Sequence, residues 1–279
     1  MAKLKIKKND VWIDMTPMSD VMVLLLTFFM LSANFVKNEI VKVQTPQSTN
    51  VDKVPATATL DIMIAPDTIN KGTPEETVVG RVYLGTDKVS TMDSALYQVM
   101  LTDPVLMNAT GKSSKYNIKS VSSKMGGGKK EEKLTNEQKE LKKSFLAETQ
   151  IGVPLSGMVE YLGKTHEEKV QLMKSYGIPL DSLEYIDENT KEVVKGPSEF
   201  QLWVKALKKG YSMWYKGLEA KKEKGEAIDV DLDNTPKKLE ICLKADRNTP
   251  YVTFKKVISE LQDILESRYK LVTQYKKED

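Results

Sequence analysis

One cysteine and one histidine in 279 residues leave little material for several large classes of chemistry. Cys242 has no second thiol to pair with, so no intramolecular disulfide forms. His166 alone supplies neither a histidine-rich metal site nor much of a serine-histidine triad. The chain is accordingly read as a non-enzyme with no cofactor, no metal and no catalytic residue. Excess charge of one sign is also missing. The 42 basic and 39 acidic side chains nearly cancel to +3, and no basic stripe interleaved with aromatics is present, which argues against nucleic acid as a partner. Cys242 lies in a strand-like run, Leu239 to Leu243, and reads as a buried small hydrophobe, while His166 reads as a first-turn helix residue.

Long apolar runs are scarce too, with one exception. From Val21 to Ala33 only Thr27 is neither apolar nor small. Extended to Met15 and Val36 the segment reaches 22 residues. At the helical rise that is about 33 Å, against a hydrocarbon core of about 30 Å. Three readings compete: a membrane anchor, a signal peptide cleaved near Ala33, and a buried core helix. Asp14, Pro17 and Asp20 interrupt the approach to a signal-type apolar stretch, and no polar face recurs each turn as a soluble amphipathic helix requires. The anchor reading is preferred. Lys3, Lys5, Lys7 and Lys8 precede the segment and Lys37 and Lys42 follow it, which sets a cytoplasmic amino terminus and a translocated body.

An acid inside such a span costs roughly 2.5 to 3.5 kcal/mol on insertion scales, so Asp20 calls for a functional reason. It sits roughly 7 Å inside the cytoplasmic end, where a carboxyl can load and release a proton. Asp20, Thr27 and Asn34 are spaced seven apart and drift only about 20° per step, making one polar stripe that predicts a protein partner or a hydrated path. The plainer alternative is that Asp20 caps the helix start and Thr27 bonds back to its own backbone.

The stretch Ile13-Asp14-Met15-Thr16-Pro17-Met18-Ser19-Asp20-Val21-Met22, followed by the leucine run and Phe28-Phe29-Met30, resembles the entry to the transmembrane helix of the ExbD/TolR biopolymer-transport family. Two further blocks are similar to that family. Ile40 to Pro46 is similar to its short strand and proline. Leu239 to Ala245, the Asp246 to Tyr251 turn, a helix over Val252 to Ser267 and a strand over Tyr269 to Tyr275 are similar to the end of its periplasmic domain. The resemblance implies a bacterial inner-membrane, single-pass subunit driven by the proton-motive force, with Asp20 as the proton carrier and Thr27 beside it. It implies a homodimer within a pentameric ExbB/TolQ-like ring, acting on a TonB-like protein that serves outer-membrane transporters. A Tol-type or motility-type motor of the same family, or a passive membrane-anchored adaptor, stays open.

The expected fold class is α+β: a cytoplasmic tail over 1–14, the span over 15–36, a small periplasmic domain over 37–102 and 237–279, and an insertion over 103–236. Members of the family are typically much shorter, and the surplus falls in that insertion. Ala58 to Ala65 and Thr77 to Leu84 read as paired strands, with Asp67, Asn70, Lys71 and Gly72 in the connection, and Met92 to Leu101 reads as a helix. Ser113 to Lys133 is too polar and glycine-rich for a core and reads as a mobile linker. Thr135 with Gln138, Thr165 with Glu168 and Ser198 with Gln201 fit capping boxes, and Gly177 and Gly210 mark the ends of the last two helices. Phe200, Trp203, Val204 and Leu207 recur at helical spacing and read as core, with docking of a partner as the alternative. Asp229, Asp231 and Asp233 alternate as in a calcium loop but lack its glycine and distal glutamate.

Overall fold

The computed structural model describes residues 16–32, 41–49, 58–86, 124–126, 133–186, 192–228, 231–232 and 234–275. The chain divides into two compact units, Met1–Asn38 and Glu39–Asp279.

The first unit contributes one described helix, α1 (Thr16–Ser32), rich in leucine and methionine. Its large apolar side chains from Met18 to Met30 all stand exposed, with no buried face. Of the 22-residue span expected over 15–36, residues 16–32 are described. The described helix has 17 residues, about 26 Å at the helical rise. Among the described residues no helix is long and apolar enough to cross a membrane. Met15 and residues 33–36, Asn34 included, lie outside the described residues, as does the helix expected over Met92 to Leu101.

The second unit is built on a five-stranded mixed sheet, so the fold class is α+β as expected. Strands β2 (Thr59–Ile69) and β3 (Thr77–Thr86) form an antiparallel hairpin, from Leu60 opposite Thr86 to Ile69 opposite Thr77. Its connection turns through Asn70 and Gly72, both at positive φ. The hairpin is longer than the alternation predicted, because β2 runs on through Pro66 and Asp67. Proline is tolerated there for a local reason. Ile64 turns its carbonyl towards the chain beyond β7 (Glu240–Ala245), accepting from the Asp246 amide. Two residues on, the amide that Pro66 lacks would point to that same side, where β7 has already ended opposite Ile64.

β7 pairs parallel with β2, and β8 (Tyr269–Leu271) pairs parallel with β7. β4 (Gln150–Ile151), from the helical region, pairs with the far edge of β3. Residues 269–275 therefore do not form one strand. β9 (Gln274–Tyr275) leaves the sheet to pair parallel with β1 (Gln47–Ser48). The strand expected over Ile40 to Thr45 is corrected for its described residues: 41–45 form no strand, and the two-residue β1 follows Pro46 instead of preceding it. Side chains replace its ladder. Gln150 Oε1 accepts from the Val41 amide at 3.0 Å, and Asp246 Oδ2 accepts from the Gln44 amide at 2.9 Å.

Leu60, Ile62, Ile64, Val82, Leu84 and Leu243 are buried with Val257 and Leu261 of α6 (Tyr251–Asp263). This amphipathic helix links β7 to β8. The helical region comprises α2 (Asn136–Ala147), α3 (Met158–Leu162), α4 (His166–Tyr176) and α5 (Glu199–Glu223). Tyr83, on the opposite face of the sheet, donates to the Lys174 carbonyl of α4 at 3.5 Å, and Gln201 of α5 donates to the Glu260 carbonyl of α6 at 3.1 Å. The helices of this region share one hydrophobic cluster with the sheet. The three capping boxes are present, His166 opens α4, and Gly177 ends α4 at φ 67°. Arg81 of β3 donates to the Tyr176 carbonyl at 3.0 Å and so holds that helix end against the sheet.

Three expectations fail in this region. α5 does not stop at Gly210 but continues to Glu223, 25 residues in all, because the buried stripe of Phe200, Trp203, Val204 and Leu207 extends through Tyr211 and Tyr215. Burying those two rings outweighs the ~1 kcal/mol that an interior glycine costs. A hairpin of β5 (Ser182–Ile186) and β6 (Val193–Ser198) stands where only helices were expected. Within the stretch read as a mobile linker, Met125 is 2% exposed and belongs to the core.

Gly152 sits where a Cβ would lie 2.3 Å from the Tyr83 ring and 2.7 Å from the Met173 side chain, both buried. Gly152→Ala is expected to destabilise the fold by about 1 to 3 kcal/mol. Gly217→Ala, on the exposed face of α5 with nothing within 4 Å, is expected to stabilise it by up to about 1 kcal/mol. Urea unfolding midpoints check both, and an unchanged midpoint for Gly152→Ala contradicts the tight seam between sheet and helices.

Candidate functional site

On α1, Asp20 is the fifth described residue, exposed and beyond the first helical turn, so it does not act as a cap there. Thr27 follows seven residues later on the same face, roughly 10 Å along the axis. The Thr27 hydroxyl donates to the Leu24 carbonyl at 2.9 Å, which meets its donor need within the helix. Its oxygen keeps acceptor capacity towards anything that approaches this face. The helix thus presents a single carboxylate, with Ser19 beside it in sequence and Thr27 one heptad on, among leucine, methionine, valine and phenylalanine.

The second unit holds three buried polar features, two of which the sequence does not announce. In the first, Lys169 is buried between α2 and α4. Its ammonium pairs with Glu148 at 2.7 Å, donates to Ser144 Oγ at 3.1 Å and lies 5.4 Å above the Tyr161 ring. Tyr161 Oη donates to the other Glu148 oxygen at 3.0 Å, and Ser144 donates to the Leu162 carbonyl at 3.1 Å. Burial, then the adjacent Glu148, pushes the Tyr161 phenol far above its ordinary range. A serine beside a lysine invites comparison with a nucleophile and its base. Here the serine proton is committed to a carbonyl and the lysine to a carboxylate, so the group is a structural staple.

The second feature is Glu199, the first residue of α5 and fully buried. Its Oε1 accepts from the Leu155 amide at 2.7 Å and from Trp203 Nε1 at 3.3 Å, while Oε2 has no partner. Burial pushes its carboxyl up to about 7, and the two donors oppose that shift only in part. The third is Cys242, buried as expected. Burial first, then the nearby Asp61, pushes its thiol up to about 11, so thiolate chemistry is suppressed. Among the described residues no cluster of histidine, cysteine, aspartate or glutamate is arranged to hold a metal ion. Of the alternating aspartates only Asp231 is described, and its Oδ2 accepts from Asn234.

Sequence reading singles out Asp20 and Thr27 because their signal is local, a polar period in an apolar run. It missed Glu199 and the Lys169 group, which look like ordinary helix acids and bases until distant elements close over them.

The chain therefore carries an apolar helix with one acid and an α+β unit. Residues 7–126 match the family described as biopolymer transport protein ExbD/TolR. The match takes in α1, β2 and β3, covers less than half of the chain and stops short of β7. That family is made up of transport proteins, not enzymes; its members are usually associated with the inner membrane and work with ExbB/TolQ-type partners. No curated protein and no solved structure matches the chain.

Because the native state holds the Glu199 proton more tightly than the unfolded chain does, this side chain contributes most below about pH 4.5. That contribution fades as pH rises through about 7. Stability is expected to fall by about 3 kcal/mol across that window on account of this residue, and Glu199→Gln is expected to flatten the slope. Urea unfolding at a series of pH values checks it; an equal slope in the variant contradicts the assignment.

Proposed function

We propose that the chain is a proton-motive-force-coupled subunit of an ExbB/ExbD-type inner-membrane motor that energises TonB-dependent outer-membrane transport, with Asp20 carrying the proton. The observation that carries this reading is Asp20 itself, a lone acid on an apolar helix within the segment that matches the ExbD/TolR family. Apolar side chains exposed on every side of α1 need cover, and lipid together with a ring of helices supplies it. In this reading the span extends over 15–36, residues 1–14 stay in the cytoplasm and residues 37–279 face the periplasm. Two copies of α1 sit within a pentameric ExbB/TolQ-like ring, and protons are the coupling ion.

The domain plan is part of the proposal. Residues 37–102 and 237–279 form the family-type domain, and 103–236 are an insertion; the parallel pairing of β2 with β7 supports joining the two flanking pieces. Each charge crossing 100 mV releases about 2.3 kcal/mol, enough to bias the ring and the paired helices between two positions. The periplasmic unit then passes the displacement to a TonB-like protein. Thr27 lies one heptad along the same face, its oxygen available to accept from a neighbouring helix or a hydrated path, and Asn34 continues the stripe.

A passive, membrane-anchored adaptor is the second reading, and one observation favours it: Thr27 is already satisfied by Leu24. Asp20→Asn separates the two, since it keeps shape and removes titration. Reconstituted in liposomes with its ring partner, the wild-type complex is expected to acidify the lumen under an imposed potential. Asp20→Asn is expected to lower that flux at least tenfold while still co-purifying with the ring, and Thr27→Val to lower it less. Wild-type flux from Asp20→Asn overturns the proton-carrier assignment.

A further inference from the structure

The helix α6 ends in a way that leucine does not favour. The Glu266 amide donates to the Leu261 carbonyl and the Leu265 amide to the Gln262 carbonyl, each at 2.9 Å, which is the paired closure usually built around glycine. Here the left-handed position, φ 62°, is held by Leu265. That side chain is also 91% exposed, the most exposed large hydrophobic residue of the described chain. A branched apolar residue in a strained backbone state and in open water breaks two local rules at once, and such places mark function more often than packing.

Leu265 stands at the lip of a half-open groove of about 810 Å³ that runs beside β7 and β8. Its rim carries four cations, Lys208, Lys238, Arg268 and Lys270, and two acids, Glu240 and Glu266. Both acids are already engaged, Glu266 with Lys208 and Glu240 with Lys270. Lys238 and Arg268 have no acidic partner among the described residues and are exposed. The Lys208 contact fixes the turn that presents Leu265, so the lip is held in place by α5. Tyr269, Leu239 and Ile241 add apolar surface along the groove.

We propose that this groove docks an acidic, partly apolar segment of a partner protein, with Lys238 and Arg268 meeting its carboxylates and Leu265 anchoring an apolar side chain. The rim cations outnumber its acids by four to two, which chooses the sign of the partner. The groove volume and the apolar lip require more than a simple anion. The site lies wholly within residues 39–279 and is independent of the role of Asp20.

The test uses the full chain in lipid nanodiscs and a fluorescein-labelled peptide of about eight alternating glutamates and leucines as the probe, with a lysine-leucine peptide and empty nanodiscs as controls. The acidic probe is expected to bind saturably, and more weakly as salt rises. The double variant Lys238→Glu with Arg268→Glu is expected to weaken binding at least tenfold. Leu265→Gly is expected to weaken it severalfold while raising the melting temperature, because glycine accepts the left-handed turn without strain. A residue with only a structural role would shift the melting temperature and leave binding alone. No binding of the acidic probe, or binding indifferent to these variants, overturns the proposal. So does a change in the chain's own oligomeric state in either variant, which would assign the face to a second copy.

Discussion

The parallel pairing of Thr59–Ile64 with Glu240–Ala245 is the contact on which the second unit rests. It makes β2 an interior strand, flanked by β3 and β7, and so allows Leu60, Ile62 and Ile64 to be fully buried. Its register is locked by Lys244, which pairs with Asp61 at 2.7 Å on the face away from those residues. A slip of one residue would turn every buried side chain to the other face, a loss no local rearrangement could offset. The strands involved are far apart in the chain, yet the entropic cost of closing a long loop grows only slowly with length, so a large helical region between them is tolerable. That region does not hang free: it adds β4 to the sheet edge and a seam of Tyr83, Gly152 and Met173 to its face.

The same pairing clarifies what a family match over residues 7–126 entails. The matched segment contains β2 and β3, but the strand that completes β2 comes from beyond it. Taken alone, the segment would leave β2 with an open edge and an uncovered apolar face. The folded object is therefore the matched segment together with the end of the chain, and the groove beside β7 and β8 belongs to that end. The two features argued to be functional sit in different units and obey different physics. One is an acid surrounded by apolar surface; the other is a pair of cations beside a strained leucine.

What the sequence made legible was local. Capping boxes at Thr135, Thr165 and Ser198 need only residues three apart, and the β2–β3 hairpin needs only alternation and a turn. Asp20 and Thr27 stood out for the same reason. The failures occur where distant packing overrides a local rule. Gly210 reads as a stop, yet Tyr211 and Tyr215 beyond it are drawn into the core. Ile40 to Thr45 reads as a strand, yet residues 41–45 are held by the Gln150 and Asp246 side chains and a single backbone bond from Arg247. Met125 sits in a glycine- and lysine-rich stretch and is nonetheless buried. Glu199 is chemically an ordinary first-turn acid; only the closure of Leu155 and Trp203 over it makes its proton unusual.

The stretch from Val41 to Ser48 enters the second unit without belonging to its main sheet, and it is stitched down at three separate points. Gln150 grips the Val41 amide, Asp246 and Arg247 hold Gln44, and β1 lies alongside β9. These attachments reach different parts of the fold: the strand beside β3, the turn after β7 and the final strand. A tug arriving along the backbone from residue 40 would be shared among them, loading β1 against β9 in shear. Under such a pull residues 41–48 would act as a yoke, spreading the load over both margins of the domain.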